Sequence, residues 1–120
     1  MKIVLIGGNP KRYSIPFHPS TKSGRILRGI LSKIGLSCEL ADMTSNIYDI
    51  PTSEEIEELK HRFKDYQVIF LGRCVEYWLK EHFPEGTYLP HPASRRKIDL
   101  ERLEYGLTSL LKEAGDWQEK

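Results

Sequence analysis

The sequence predicts an α/β protein: a three-layer α/β/α sandwich around a four-stranded parallel sheet with the strand order 2-1-3-4. Short β-branched runs alternate four times with segments of helical periodicity, which is typical of parallel strands joined by right-handed crossovers. The run YQVIFLG at 66–72 is almost entirely apolar, as in strands covered on both faces. The chain has 120 residues, 39% of them apolar, which is enough for one core. We therefore expect one domain at 1–113 and a C-terminal tail at 114–120.

The first strand and the first helix flank a long loop. The run KIVLI ends at residues 7–10, GGNP, which form a turn sequence. Residues 11–23 then carry two prolines and no helical period, which indicates an extended loop of functional length. Ser23 is expected to cap a helix whose apolar residues recur at spacings of three and four until Gly35 ends it.

The later elements follow the same alternation. Ser53 begins a helix with Glu54 and Glu55 in its first turn, where acidic side chains complement the helix dipole. The last helix carries leucines along one side. The predicted strands are 2–6, 38–43, 66–72 and 87–91, and the predicted helices are 24–34, 53–64, 75–83 and 99–113.

Composition excludes several protein classes. Charged residues make up 29% of the chain and are separated by clear apolar segments, so the chain is neither disordered nor a coiled coil. No apolar run reaches the about 18 residues that span a membrane, and IVLIGG is too short for a signal peptide. We expect a cytoplasmic protein that does not bind membranes.

Metals and cofactors are not predicted. The two cysteines, Cys38 and Cys74, lie in separate apolar segments without CxxC spacing, and no His, Cys or carboxylate cluster has metal-ligand spacing. Burial statistics for cysteine favour two buried free thiols. No metal site and no cofactor are therefore expected.

Positive charge is concentrated in the first third of the chain. Seven Lys or Arg residues precede the first acidic residue, Glu39, whereas the remaining 82 residues hold 11 cations and 17 acids. This asymmetry favours a basic face that meets an anion such as phosphate, although a merely solvated basic surface is the alternative.

Unusual residues follow each predicted strand. The segments GGNPKRYS, TSN, LGRC and PHPASRRK all come at carboxyl ends of strands, where ligand sites of open parallel sheets lie. We therefore expect these four segments to converge on one edge of the sheet.

Two of these segments resemble motifs of the uracil-DNA glycosylase superfamily. GGNP resembles its motif A, G-x-N-P, and PHPASR resembles its motif B, H-P-S-x-x-R. Between them, FHPSTKSGRILRGIL, CELADMTSN and VIFLGRCVEYWL are similar to the superfamily's first loop and helix, second-strand region and third strand and helix. The resemblance covers roughly residues 2–112 in the same order and implies the glycosylase α/β fold.

The resemblance implies roles for two catalytic residues. Asn9 would orient the water that attacks the sugar, and His91, held between two prolines, would donate a hydrogen bond to the departing base. The alternative for Asn9 is a turn residue, and the alternative for His91 is a satisfied histidine at a strand end. His18 lies in a second His-Pro-Ser string and competes with His91 for the role, although no strand precedes it.

The base itself would be held by three further residues. Gly8 lies within motif A, Phe17 occupies the loop where the superfamily offers an aromatic ring to the base, and Asn46 would read the polar edge of the base. Phe17 could instead fill the core, and Asn46 could instead close a turn.

The cations near both motifs would contact the nucleic-acid backbone, because phosphate neutralisation supplies most sequence-independent affinity. Arg95 occupies the position where motif B normally carries an apolar wedge. Lys11 follows the proline of motif A, where the superfamily usually has a glycine or a tyrosine. The residues expected at the backbone are Lys11, Arg12, Lys22, Ser94, Arg95, Arg96 and Lys97.

Three functions follow as hypotheses. The first is a DNA repair glycosylase that hydrolyses the N-glycosidic bond of uracil or a related damaged base flipped out of accessible or single-stranded DNA. The second is a catalytically inactive protein of that fold that binds nucleic acid, a nucleobase or a nucleotide. The third is a small α/β domain that associates with other proteins.

Overall fold

The sheet has the predicted architecture. The computed structural model describes residues 2–8, 15–45 and 48–118. Within them, four parallel strands form one sheet in the order β2-β1-β3-β4, which confirms the predicted fold class and order. The strands are β1 Ile3–Gly7, β2 Glu39–Asp42, β3 Gln67–Leu71 and β4 Thr87–Leu89, and the helices are α1 Lys22–Ile34, α2 Ser53–Arg62, α3 Arg73–Leu79 and α4 Lys97–Gln118.

Each face of the sheet has its own hydrophobic core. Alternate residues of a strand point to opposite faces, so the two central strands feed both cores. Leu5 and Ile69 pack with α1 and α4 on one face, and Ile6 and Phe70 pack with α2 and α3 on the other. All four side chains are fully buried. This two-sided burial explains why β1 and β3 are apolar at almost every position.

Helices α1 and α2 are capped slightly earlier than the sequence suggested. In α1 the Thr21 hydroxyl, and not Ser23, accepts a hydrogen bond from Gly24 N at 2.9 Å. In α2 the cap is Thr52, which forms a reciprocal capping box with Glu55. Gly35 ends α1 in the left-handed conformation (φ 78°), as predicted.

The last helix is longer than predicted. It begins at Lys97 and runs to Gln118, so residues 114–118 are helical where a tail was expected. No proline follows Glu113 to interrupt the ladder of hydrogen bonds. Among the described residues, no helix is long and apolar enough to cross a membrane.

The prediction of two buried thiols is wrong for Cys74, which is exposed, whereas Cys38 is half-buried. The register of α3 explains the difference, because its inward positions are taken by Val75 and Leu79. Cys74 therefore faces outward at the carboxyl edge of the sheet.

Candidate functional site

A cavity of about 250 Å³ opens at the carboxyl edge of the sheet. Gly7 and Gly8 border it at the end of β1, Asp42 at the end of β2, and Gly72 after β3. His91, which follows β4, also borders it. The cavity therefore lies where the rule for open parallel sheets predicts a ligand site.

Phe17 forms one wall of this cavity and also belongs to the core. Its side chain is 7% exposed, and its backbone has a positive φ of 50°. The ring lies so close to Gly7 that a Cβ on Gly7 would be 2.4 Å from the Phe17 Cζ atom. Both roles considered for Phe17 are thus compatible, because one part of the ring packs in the core while another lines the cavity.

The backbone of the Phe17 loop is held by α1. The Arg28 guanidinium donates hydrogen bonds to the carbonyl oxygens of Phe17 (2.6 Å) and Pro16 (2.9 Å). Gly24 lies directly beneath the loop, where a Cβ would be 2.0 Å from the His18 carbonyl oxygen. Arg28, one of the seven N-terminal cations, therefore binds the backbone of the loop. Lys33, another of these cations, pairs with Glu104 at 3.0 Å, so the seven cations do not all belong to one basic face that is available to an anion.

His91 is held in one tautomer. The backbone N–H of Ala93 donates to His91 Nδ1 at 3.0 Å, so the neutral imidazole carries its proton on Nε2. Pro90 and Pro92 are buried on either side. Gly72, with φ 105°, lies against the ring, and a Cβ there would be 3.4 Å from His91 Cβ and Cδ2. The imidazole is therefore both oriented and set as an Nε2–H donor.

His18 repeats this arrangement at the same cavity. The Ser20 N–H donates to His18 Nδ1 at 3.0 Å, and His18 lines the same cavity as His91. Both histidines precede a proline, which turns the chain so that the next N–H reaches back to the ring. A neutral imidazole with its proton on Nε2 cannot ligate a metal through that nitrogen. The described residues contain no group of three or more His, Cys, Asp or Glu side chains that could hold a metal ion.

Two carboxyl groups complete the lining. Asp42 is opposite Gly7 in the β1–β2 register, and burial raises its pKa to about 6. Asp49 has a positive φ of 57°, and its Oδ1 would be 2.5 Å from a Cβ on Gly8. The Cys74 thiol donates to the Asp49 carbonyl oxygen at 3.7 Å. Sequence reasoning missed both aspartates, although the position of Asp42 at a strand end was visible.

The structure brings three predicted site residues together, since Gly8, Phe17 and His91 all line the cavity. Asn9 and Asn46 lie outside the described residues, as do two predicted backbone contacts, Lys11 and Arg12.

The other predicted backbone contacts do not line the cavity. Ser94 Oγ donates to Asp99 Oδ2 at 2.7 Å and accepts from Arg96 N at 3.2 Å, which shapes the start of α4. Lys22, Arg95, Arg96 and Lys97 are exposed. A further cation was not predicted: Arg73 lines the cavity and stacks on Tyr88, with Cζ 3.8 Å from the ring centroid.

Comparison of this chain with protein-family models, with curated proteins and with solved structures finds no match.

Proposed function

We propose that this protein hydrolyses the N-glycosidic bond of uracil or a related damaged base, turned out of a DNA strand into the cavity. The observation that carries the proposal is that Gly8 and His91 line one cavity. They belong to the two loops that resemble motifs A and B of the uracil-DNA glycosylase superfamily. These loops are distant in the chain and meet because β1 and β4 are both paired with β3.

The size and the lining of the cavity suit a single base. Its volume of about 250 Å³ is below the about 300–1,000 Å³ of pockets for drug-sized ligands. The Phe17 ring offers a flat apolar surface on which a base can stack. Gly7, Gly8 and Gly72 also line the cavity and add no side chain to it.

The chemistry requires a donor at the departing base. The bond between sugar C1′ and the base nitrogen breaks with its electron pair on the base, the oxygen of a water molecule bonds to C1′, and the proton that this water loses ends on the released base. Negative charge then develops on the base carbonyl oxygen, where a fixed N–H donor is most effective. The Nε2–H of His91 supplies that donor in this proposal, and the resemblance assigns the water to Asn9.

Exposed cations around the same edge would hold the DNA backbone. Arg73 has a side chain that is 75% exposed at the cavity, and Arg95, Arg96 and Lys97 are exposed shortly after His91. The proposed substrate is accessible or single-stranded DNA, because Arg95 replaces the apolar wedge that opens a duplex.

The test is strand cleavage at abasic sites. A single-stranded oligonucleotide with one uracil is incubated with the protein and then treated with alkali. We expect strand breaks with the wild type and a loss of about 100-fold or more in His91→Ala and Asn9→Ala. Lys60→Ala, on the solvent side of α2, is the matched control and should retain full activity. No breaks above the protein-free reaction at stoichiometric protein would refute hydrolysis.

Arg95 also favours a second candidate, binding of nucleic acid without hydrolysis, since a cation at the wedge position suits phosphate contact. This candidate predicts affinity for single-stranded DNA that falls steeply with salt. Arg95→Glu combined with Arg96→Glu should abolish that affinity. Binding that responds to neither salt nor charge reversal would exclude it and leave the protein-association hypothesis.

A further inference from the structure

Among the residues that the structure describes, Asp42 differs from Glu55 and Asp49 in having no hydrogen-bond or ion-pair partner. Within the part of the chain that the structure describes, its carboxyl group makes no hydrogen bond and no ion pair. Glu55 shows what a structural carboxylate looks like here: it accepts hydrogen bonds from Thr44 Oγ1 (2.6 Å), Ser45 N (2.9 Å) and Thr52 N (2.9 Å). A half-buried carboxyl without such donors can make its hydrogen bonds with a ligand that enters the cavity.

Asp42 is close to the Phe17 ring, which is the wall of the cavity on which a base would stack and is called the stacking wall below. Alternation along β2 places Asp42 on the same sheet face as Leu40, which packs in the core that includes Phe17. Asp42 is also opposite Gly7, on which the Phe17 ring lies. A base stacked on Phe17 would therefore present an edge towards the end of β2, where Asp42 lines the cavity.

The two protonation states of a carboxyl group form hydrogen bonds with different edges of a nucleobase. A carboxylate only accepts hydrogen bonds, so it is repelled by a ring carbonyl oxygen. A neutral carboxylic acid donates one hydrogen bond and accepts another, as an amide side chain does. That pattern is the complement of an imide edge, in which a ring N–H is next to a C=O, as in uracil.

We propose that Asp42 reads the base as a neutral carboxylic acid, donating its O–H to a ring carbonyl oxygen and accepting from the adjacent ring N–H. The inference rests on the proposed base-binding function and names its ligand class: bases whose edge has a hydrogen-bond donor next to an acceptor, such as the imide edge of uracil. The neutral carboxyl group also complements an amino group beside a ring nitrogen acceptor, as in cytosine, because its proton can lie on either oxygen, whereas a carboxylate is repelled by the acceptor of either edge.

Burial supports this assignment, because it raises the pKa of Asp42 to about 6. The neutral form is then well populated near pH 6 and falls about tenfold for each pH unit above the pKa. The titratable and charged groups that share its two cavities are His18, Asp49, Arg73, Cys74 and His91 in the larger one, and Glu55, Glu58 and Arg62 in the smaller one beside α2.

The experiment compares the wild type with Asp42→Asn and Asp49→Asn. Single-turnover release of uracil from the oligonucleotide and equilibrium dialysis of free uracil are measured from about pH 6 to about pH 8. In the wild type, the rate of uracil release and the affinity for free uracil should both fall about tenfold per pH unit at the upper end of this pH range. The amide introduced by Asp42→Asn has a donor and an acceptor at every pH, because it does not titrate in this range.

In Asp42→Asn, uracil release and uracil affinity should therefore not change with pH, and near pH 8 both should exceed the wild-type values by about tenfold or more. Asp49→Asn is the matched control from the same cavity, and it should keep the falling profile. Thermal unfolding of each variant verifies that it is folded.

The outcomes separate this inference from the proposed function. Release by the wild type together with an inactive Asp42→Asn would mean that Asp42 acts as a carboxylate, which overturns the inference and leaves the function standing. An Asp42→Asn variant with the falling wild-type profile overturns it as well. Uracil binding with the predicted pH dependence but without release supports the inference and overturns hydrolysis. Neither release nor binding overturns both.

Discussion

Two glycines on helix α1 provide a direct test of how the Phe17 loop is positioned. Gly24 is buried, and a Cβ there would lie 2.0 Å from the His18 carbonyl oxygen and 2.4 Å from the Phe17 carbonyl oxygen. Gly29 is exposed, and a Cβ there would have no neighbour within 4 Å. Alanine at each position makes the same chemical change in the same helix, with a clash at only one of them.

The expected free energies have opposite signs. Alanine is favoured over glycine in a helix by about 1 kcal/mol, so Gly29→Ala should stabilise the protein by up to that amount. Gly24→Ala has the same benefit but must push the loop backbone away by more than an ångström, to reach ordinary contact. That shift breaks hydrogen bonds from Arg28 to the loop, which are worth about 1.5–3 kcal/mol each because the donor is charged. Loss of both bonds, less the helix benefit of about 1 kcal/mol, makes the net effect of Gly24→Ala a loss of about 2–5 kcal/mol.

Urea unfolding of both variants and the wild type measures these differences, provided that the slope with denaturant is unchanged. Uracil binding by the two variants then reports on the cavity wall. We expect Gly29→Ala to bind as the wild type does and Gly24→Ala to bind more weakly. Equal stability of the two variants would refute the reasoning, since it would mean that the loop does not rest on Gly24.

Other predictions concern the edge of the sheet. Burial opposes ionisation of Glu55, but its hydrogen bonds outweigh burial and lower its pKa from 4.5 to about 2. Its contribution to stability should therefore be complete above about pH 4.5 and be lost as the pH falls towards 2. The free energies of unfolding of the wild type and Glu55→Gln, measured as the pH is lowered, should become equal at that lower limit. Gly8→Ala should displace the Asp49 carboxylate and reduce uracil release, and adding Asp49→Ala should recover the unfolding temperature; no recovery would contradict the contact. Cys74 should react with iodoacetamide well before Cys38, whose thiol has a pKa raised by burial to about 11, as peptide mass spectrometry would detect. Preferential labelling of Cys38 would show that the two environments are assigned the wrong way round.

The fold could be predicted from the sequence because its signals are local. The apolar run of β3 and the glycine after α1 each report on one element, and the alternation of strands and helices restricts the topology. The boundaries were less well defined for a physical reason: Thr52 and Ser53 are both good caps, and only the contact with Glu55 decides between them.

Only part of the candidate site could be predicted from the sequence, because the site depends on contacts between distant residues that no local sequence pattern encodes. His91 was identified from its motif, whereas His18 was ranked below it for lack of a preceding strand, although both rings line the cavity. Asp42 became a candidate only once the register placed it opposite Gly7. The role of Arg28 was missed because its partners are carbonyl oxygens, which a sequence does not distinguish.

These contacts also bear on how the cavity can work. Phe17 packs on Gly7 at the end of β1, and its loop is held from below by Gly24 and Arg28. The stacking wall is therefore fixed by the protein's own packing and does not need a ligand to order it. A wall that is already in place saves the entropy that ordering a loop on binding would cost, about 0.5–1.5 kcal/mol for each immobilised side chain. For the proposed binding of a single base, which offers few contacts to offset such a cost, this preorganisation favours stacking, and specificity would then depend on the polar groups at the edge of the base.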